Sequence, residues 1–280
     1  MREIRGRLAL VTGPTTGIGL EIASQLADLG AHLVLACRDL ARGEALAGEL
    51  RRRTGTDAHV VHLDASDRAS IRACALTCRE RFPALDVLVN NAGLAHGERR
   101  LSPDGIELTF ATNVLGYWLL TEELRGLLEA RGSGRIVNVA SLFAQPPDLD
   151  DLQFAQRPYD GLEAYAQSKA CNRMLTWAVA RRLAGTGVTA NAYAPGFVAG
   201  TGLSRDLPPA VRILYRQRPG RTHAEGADTA VWLAASPDLE DVSGRFFMDR
   251  QETPCELRDE GWEERLWERC EELTGRFSSG

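Results

Sequence analysis

Six short, nearly continuous apolar runs punctuate the first 193 residues: RLALVT (7–12), AHLVLA (31–36), DAHVVHL (57–63), LDVLVN (85–90), RIVNVA (135–140) and GVTANAY (187–193). Runs of this length, rich in Val, Leu and Ile and without polar alternation, predict strands buried on both faces. Between them the apolar positions recur with helical spacing, over about 17–29, 39–54, 67–81, 103–130 and 162–184. Strand–helix alternation of this kind predicts an α/β fold: a doubly wound, Rossmann-type parallel sheet with helices on both faces. GRFFMD (244–249) adds a last strand, for a sheet of about seven. The segment 259–273 reads as an amphipathic helix with Trp262, Leu266, Cys270 and Leu273 on one stripe. No repeat, low-complexity tract or linker divides the chain, so residues 1–280 are expected to form a single domain.

Composition narrows the class. A 44% hydrophobic share in 280 residues is enough for a full core. The net charge of −5 argues against nucleic-acid or membrane-surface partners. No apolar run approaches the roughly 20 residues that span a bilayer, and the first residues carry no secretory apolar region. The six cysteines show no zinc-like spacing, so no metal site is expected and reduced, mostly buried thiols in a cytoplasmic protein are.

Candidate chemistry sits at three places. The first strand runs into TGPTTGIG (12–19), where Gly13, Gly17 and Gly19 precede a helix. Such a turn lets backbone approach a pyrophosphate at a helix N-terminus. After the second strand, Arg38 suits the 2′-phosphate of NADP(H), while Asp39 is the alternative as an acid for a free ribose hydroxyl. Third, YAQSK (165–169) ends in the chain's single lysine; the other 32 of its 33 basic residues are arginines. Tyr165 and Lys169 at i, i+4 share a helix face, and a compact ammonium that can shed a proton does what a guanidinium cannot.

These motifs, with LD (63–64), NNAG (90–93), TNVLG (112–116), Ser141 and PG (195–196), occur in an order and spacing that resemble the short-chain dehydrogenase/reductase family over nearly the whole chain. ACRDLARGEA (36–45), DGIELTFATNVLGYWLLT (104–121) and EGADTAVWLAASPDLEDVSGRFF (225–247) are similar to its NADP-dependent, retinol-dehydrogenase-like branch. The resemblance implies a catalytic set of Asn113, Ser141, Tyr165 and Lys169. It implies cofactor contacts from Gly13, Thr15, Thr16, Gly17, Ile18, Gly19 and Arg38, from Asp64 and Ala65 at the adenine, and from Asn90, Ala92 and Gly93 on the adenosine side. Tyr165, Lys169, Pro195, Gly196 and Val198 would complete the set near the nicotinamide. Asn113 would hold a water in a proton relay to the lysine.

Ser141 and Tyr165 are 24 residues apart, a longer gap than in many members, and the extra segment 143–164 is expected to shape the substrate mouth. Gly200 stands where the family often has a threonine, which Thr201 follows. Residues 202–221 are expected to be a mobile substrate lid, with Leu203, Leu207, Val211, Leu214 and Tyr215 apolar, and 252–280 a C-terminal helical extension. The expected activity is NADPH-dependent interconversion of a ketone or aldehyde with an alcohol on a bulky apolar molecule. Reduction of an activated C=C bond, an elimination, or a non-catalytic NADP(H) sensor are the alternatives. Arginine bias points by analogy to a GC-rich bacterium and secondary metabolism. A homodimer or homotetramer is expected to pair through the helices around 103–130 and 162–184, unless the C-terminal helix covers part of that surface and limits assembly.

Overall fold

The computed structural model describes residues 4–204, 206, 209, 212, 213 and 217–275. Its sheet has the order β3-β2-β1-β4-β5-β6-β7-β8. The strands are β1 (Leu8–Thr12), β2 (His32–Cys37), β3 (Ala58–His62), β4 (Val87–Asn90), β5 (Arg135–Val139), β6 (Thr189–Tyr193), β7 (Arg245–Met248) and β8 (Gln251–Glu252). β1 to β7 are parallel, and β8 folds back antiparallel on β7 as a two-residue eighth strand too short to leave a sequence signal.

Alternation along each strand splits the core into two layers, which is why the runs look continuously apolar. Leu10, Val34, Leu88, Ile136 and Phe246 face one layer, while Val11, Leu35, Val89, Val137 and Phe247 face the other. The first layer is covered by α3 (Arg68–Arg81), α5 (Gly116–Glu129) and α6 (Gly161–Arg182). The second is covered by α1 (Gly17–Asp28), α2 (Leu40–Thr54) and α7 (His223–Ala235). α7 is absent from the helices read in the sequence. Its hydrophobic face is broad and weakly patterned, but a capping box marked its start: Thr222 and Glu225 bond each other's backbone N–H.

The predicted helix at 103–130 begins later and is not uniform. A single turn, α4 (Leu108–Phe110), passes through a π-helical stretch, Ala111–Leu115, before α5. The Glu107 carboxylate fixes this start by accepting from Thr109 N (2.8 Å) and Phe110 N (2.7 Å).

The C-terminal helix α8 (Glu260–Thr274) lies on α6 and α5, but its stripe is rotated from the expected one. Glu263, Leu266, Trp267, Cys270 and Thr274 are buried, whereas Trp262 is 41% exposed. The rotation is possible because Arg181 binds the buried Glu263 carboxylate and Trp267 packs edge-on against Trp118 at 5.2 Å. Cys74 and Cys78 sit buried in the first layer, and all six cysteines are free thiols.

Candidate active site

The site lies along the carboxyl ends of the strands, around the point where the order reverses between β1 and β4. Gly13 and Gly17 take positive φ (64° and 61°), which L side chains adopt only with strain. At Gly19 a Cβ would stand 2.3 Å from the Gly13 carbonyl and 2.4 Å from Asn91 Nδ2. The loop thus closes on the start of α1. Asn91, not among the predicted site residues, secures it. Its side chain donates to Thr12 O (2.9 Å) and Gly13 O (3.3 Å), and Thr12 Oγ1 accepts from Asn91 N and Ala92 N. The buried Thr12 is likewise a positioning residue that its ordinary strand context concealed.

The residues fit a dinucleotide pyrophosphate. α2, α3, α6, α7 and α8 each carry a side-chain cap, from Asp39, Asp67, Asp160, Thr222 and Asp259. The Thr16 side chain makes no such bond at α1. The first-turn N–H groups behind the glycine loop therefore lack a side-chain acceptor, as an anion site requires. Thr15 is half-buried and Thr16 exposed on this loop. Ile18 and Val198 meet over Gly226 of α7, where a Cβ would lie 2.6 Å from Val198 Cγ2 and 3.5 Å from Ile18 Cγ1.

At the end of β2, Arg38 is exposed, and Asp39 spends its carboxylate on the α2 cap (Arg42 N, 3.0 Å) and on Arg42 Nε (3.3 Å). Asp64 accepts from Ser66 N and Oγ (2.9 and 2.7 Å), turning the chain behind the buried Ala65. Asn90 is fully buried and its amide points into the sheet, donating to Asn138 Oδ1 (2.9 Å) and Thr121 Oγ1 (3.1 Å). The side chain ties β4 to β5 and α5 and is not turned toward the site. Ala92 is partly exposed, next to the Gly13 turn. Pro195 and Gly196 follow β6, and Gly196 packs on Arg221, which a bidentate pair holds to Asp249.

The four expected catalytic residues come together from three elements. Ser141, just past β5, accepts from Phe143 N at Oγ (3.0 Å), so the Oγ proton is left to point elsewhere. Its carbonyl accepts from the buried Arg173 guanidinium, which also lies over the Phe246 ring. Tyr165 and Lys169 follow on α6, the tyrosine 9% and the lysine 4% exposed. Lys169 Nζ donates to Val139 O (2.8 Å), and burial draws its pKa down to about 7.

Asn113 lies within the π-helical stretch and is not solvent-facing. Its side chain accepts from Leu94 N (2.9 Å) and donates to Leu94 O and Ser168 Oγ (both 2.9 Å). Gly93 completes the floor, its added Cβ position 3.2 Å from Asn113 Oδ1 and 3.7 Å from Lys169 Nζ.

Around Tyr165 the surface is apolar. Ala95, Leu162 and Leu203 cluster on it, and the half-exposed Phe143 ring lies nearly parallel to it (17°) at 6.4 Å. The insert after Ser141 is otherwise packed down. Leu149, Leu152 and Phe154 are buried, Gln167 Nε2 holds Leu152 O (2.9 Å), and Tyr159 bonds Glu107 (3.1 Å). Of the expected lid side chains, Leu207, Val211, Leu214 and Tyr215 fall outside the described residues. Among the described residues no group of three or more His, Cys, Asp or Glu is placed to hold a metal ion. No described helix is long and apolar enough to cross a membrane.

The chain is similar to known proteins over nearly its whole length. The family described as short chain dehydrogenase matches residues 7–211. Mouse retinol dehydrogenase 14 is 37% identical, over 97% of this chain and 87% of its own length. A Streptomyces antibioticus protein named "Probable oxidoreductase" is 39% identical, over 89% and 87%. Among solved structures, one from Mycobacterium paratuberculosis overlays with a TM-score of 0.78 at 29% identity, covering 98% of this chain and 96% of the other. A gluconate 5-dehydrogenase from Burkholderia cenocepacia in complex with NADP and tartrate gives 0.70 at 30% identity, over 88% and 94%.

Proposed function

The chain belongs to the short-chain dehydrogenase family, in its retinol-dehydrogenase-like branch, and on that premise we propose that it interconverts a ketone or aldehyde and the corresponding alcohol of a bulky apolar molecule with NADP(H). The observation that carries this reading is the meeting of Ser141, Tyr165, Lys169 and Asn113 at the carboxyl edge of the sheet, beneath the apolar surface of Ala95, Phe143, Leu162 and Leu203.

When bound, the nicotinamide supplies or accepts the hydride. The protein supplies the proton and the polarity. Ser141 Oγ, its acceptor side engaged by Phe143 N, donates to the substrate oxygen as negative charge develops there. Tyr165 protonates that oxygen in reduction and removes its proton in oxidation. Free Tyr titrates near 10, and the protonated Lys169 beside it favours the phenolate. Asn113 clamps the Leu94 peptide and Ser168, fixing the loop after β4 against the tyrosine's helix.

The preference for NADP(H) over NAD(H) rests on Arg38, exposed at the end of β2, and on Asp39, whose carboxylate is committed to the α2 cap. The NADP held by the Burkholderia relative supports the same reading.

The test is turnover with NADPH and NADH over a panel of aromatic, alicyclic and long-chain carbonyls that includes a polyene aldehyde, for the wild type and Tyr165→Phe. NADPH-favoured conversion of C=O to CH–OH is expected. Tyr165→Phe should lower kcat by about 10²–10⁴ with cofactor Kd nearly unchanged. Undiminished turnover in that variant, or products saturated at C=C with the carbonyl intact, would overturn the assignment.

A further inference from the structure

Lys169 is a buried cation without a carboxylate. Among the described residues Nζ donates to Val139 O and forms no ion pair with a carboxylate. Tyr165 comes from its own helix, and Asn172 on that helix shares the same carbonyl more distantly at 3.5 Å. Arg173 directs its guanidinium to Ser141 O and Cys255 Sγ. Asn113 and Gly93 come from the opposite wall.

What remains is Tyr117 of α5. Nζ lies over its ring, 5.6 Å from the centroid, and over the Tyr165 ring at 5.7 Å. Tyr117 is 4% exposed, one helical turn beyond Asn113 on the same face, and its buried hydroxyl has no hydrogen-bond partner among the described residues. What Tyr117 offers Lys169 is therefore its ring face and not a hydrogen bond from its hydroxyl.

We propose that Tyr117 is a positioning residue for the acid–base pair: its ring face replaces part of the hydration that Lys169 loses, and so keeps the ammonium charged and aimed between the two tyrosines. An ammonium over an aromatic face within about 6 Å is attracted by the ring quadrupole, most strongly where water is excluded. The two rings are not equivalent. Tyr165 changes charge during the reaction proposed above. Burial raises Tyr117 well above the ordinary phenol range, so it stays neutral and its contribution constant. The role rests on the acid–base function given to Lys169, but its test does not need turnover.

Because Lys169 is the only lysine in the chain, protein grown on lysine labelled with ¹³C at the ε carbon gives one side-chain resonance to titrate. Wild type, Tyr117→Phe and Tyr117→Leu are compared from pH 5 to 11. Tyr117→Phe keeps the ring and is expected to titrate with the wild type. Tyr117→Leu should titrate about 0.5–1.5 pH units lower, the size of a desolvated cation–π contact. In active protein, the rising limb of alcohol oxidation should move to higher pH in Tyr117→Leu alone, because a neutral lysine no longer favours the Tyr165 phenolate. An unshifted or raised midpoint in Tyr117→Leu overturns the proposal, and so does a Tyr117→Phe midpoint that follows the leucine variant. If Tyr117→Leu does not fold, Tyr117→Phe and Tyr117→Met decide it by the same comparison. A wild-type midpoint near 7 with no turnover on any carbonyl would count against the proposed reaction and leave this inference standing.

Discussion

At the residue scale the decisive feature is a lone lysine in a chain of arginines. A guanidinium is planar, permanently charged and forked, and does not fit the narrow space between Val139 O and two tyrosine rings. The cost of the lysine is visible in its lowered pKa, about 7 against an ordinary value near 10.4. Between these values the unfolded chain holds a proton that the folded apo-protein has lost, so folding stability rises with pH across that window. Below pH 7 both states are protonated and the dependence ends. Lys169→Met should remove this slope. Chemical denaturation at pH 6.5 and 9.5 should show the wild type gaining on the variant at the higher pH, on the order of 1.4 kcal/mol for each unit of the window crossed. Equal pH dependence in both proteins would show that the ammonium is not desolvated as described.

At the scale of elements, each site residue depends on how its element begins or ends. The α1 start differs from the other capped helices because the Thr16 side chain makes no cap bond and Gly19 touches the preceding turn. Gly19→Ala must push Gly13 and Asn91 apart and is expected to weaken NADPH binding by at least about tenfold, or 1.4 kcal/mol, read by calorimetric titration. The Thr222–Glu225 box plays the opposite part. It seals α7 and sets Val198 against Ile18. Thr222→Ala should cost about 1 kcal/mol of stability with little change in cofactor affinity. Both outcomes follow from the helix termini and neither from the hydrophobic pattern. That pattern located α1, α2, α3 and α6 to within a residue or two, yet was silent on α7, whose buried face is too broad to mark a period.

At the scale of the molecule, α8 is the element with consequences beyond the site. It covers α5 and α6, the surfaces through which the resemblance suggested pairing, with Trp267 on Trp118 and with Arg181 and Arg182 on Glu263 and Glu264. Burial raises the Glu263 carboxyl while Arg181 opposes the shift. We propose that the full chain does not pair through this face. Size-exclusion chromatography with light scattering should find no oligomer that is lost on substituting outward residues of α5. Removing 257–280 should produce self-association together with a lower Tm, as Trp118 and its neighbours become exposed. A truncated chain that stays monomeric and equally stable would mean that α8 is only an appendage.

The apolar runs were enough to read the α/β class and seven of the eight strands, while YAQSK singled out Tyr165 and Lys169 and the resemblance added Ser141 and Asn113 as their expected partners. The information there is local: strand burial leaves continuous apolar runs, and the Tyr–Lys spacing lies within one helical turn. The rest depended on distance in space. The sequence left Arg38 and Asp39 as rivals for the ribose, and the α2 cap that engages Asp39 is itself local, three residues away; the long-range contacts were beyond its reach. It could not turn Asn90 inward toward Asn138, assign the loop to Asn91 and Thr12, or bring Tyr117 over Lys169. Each of those contacts joins residues far apart along the chain, and hydrogen-bond partners and ring faces are chosen by the packing of helices on the sheet, which no periodicity along a single segment encodes.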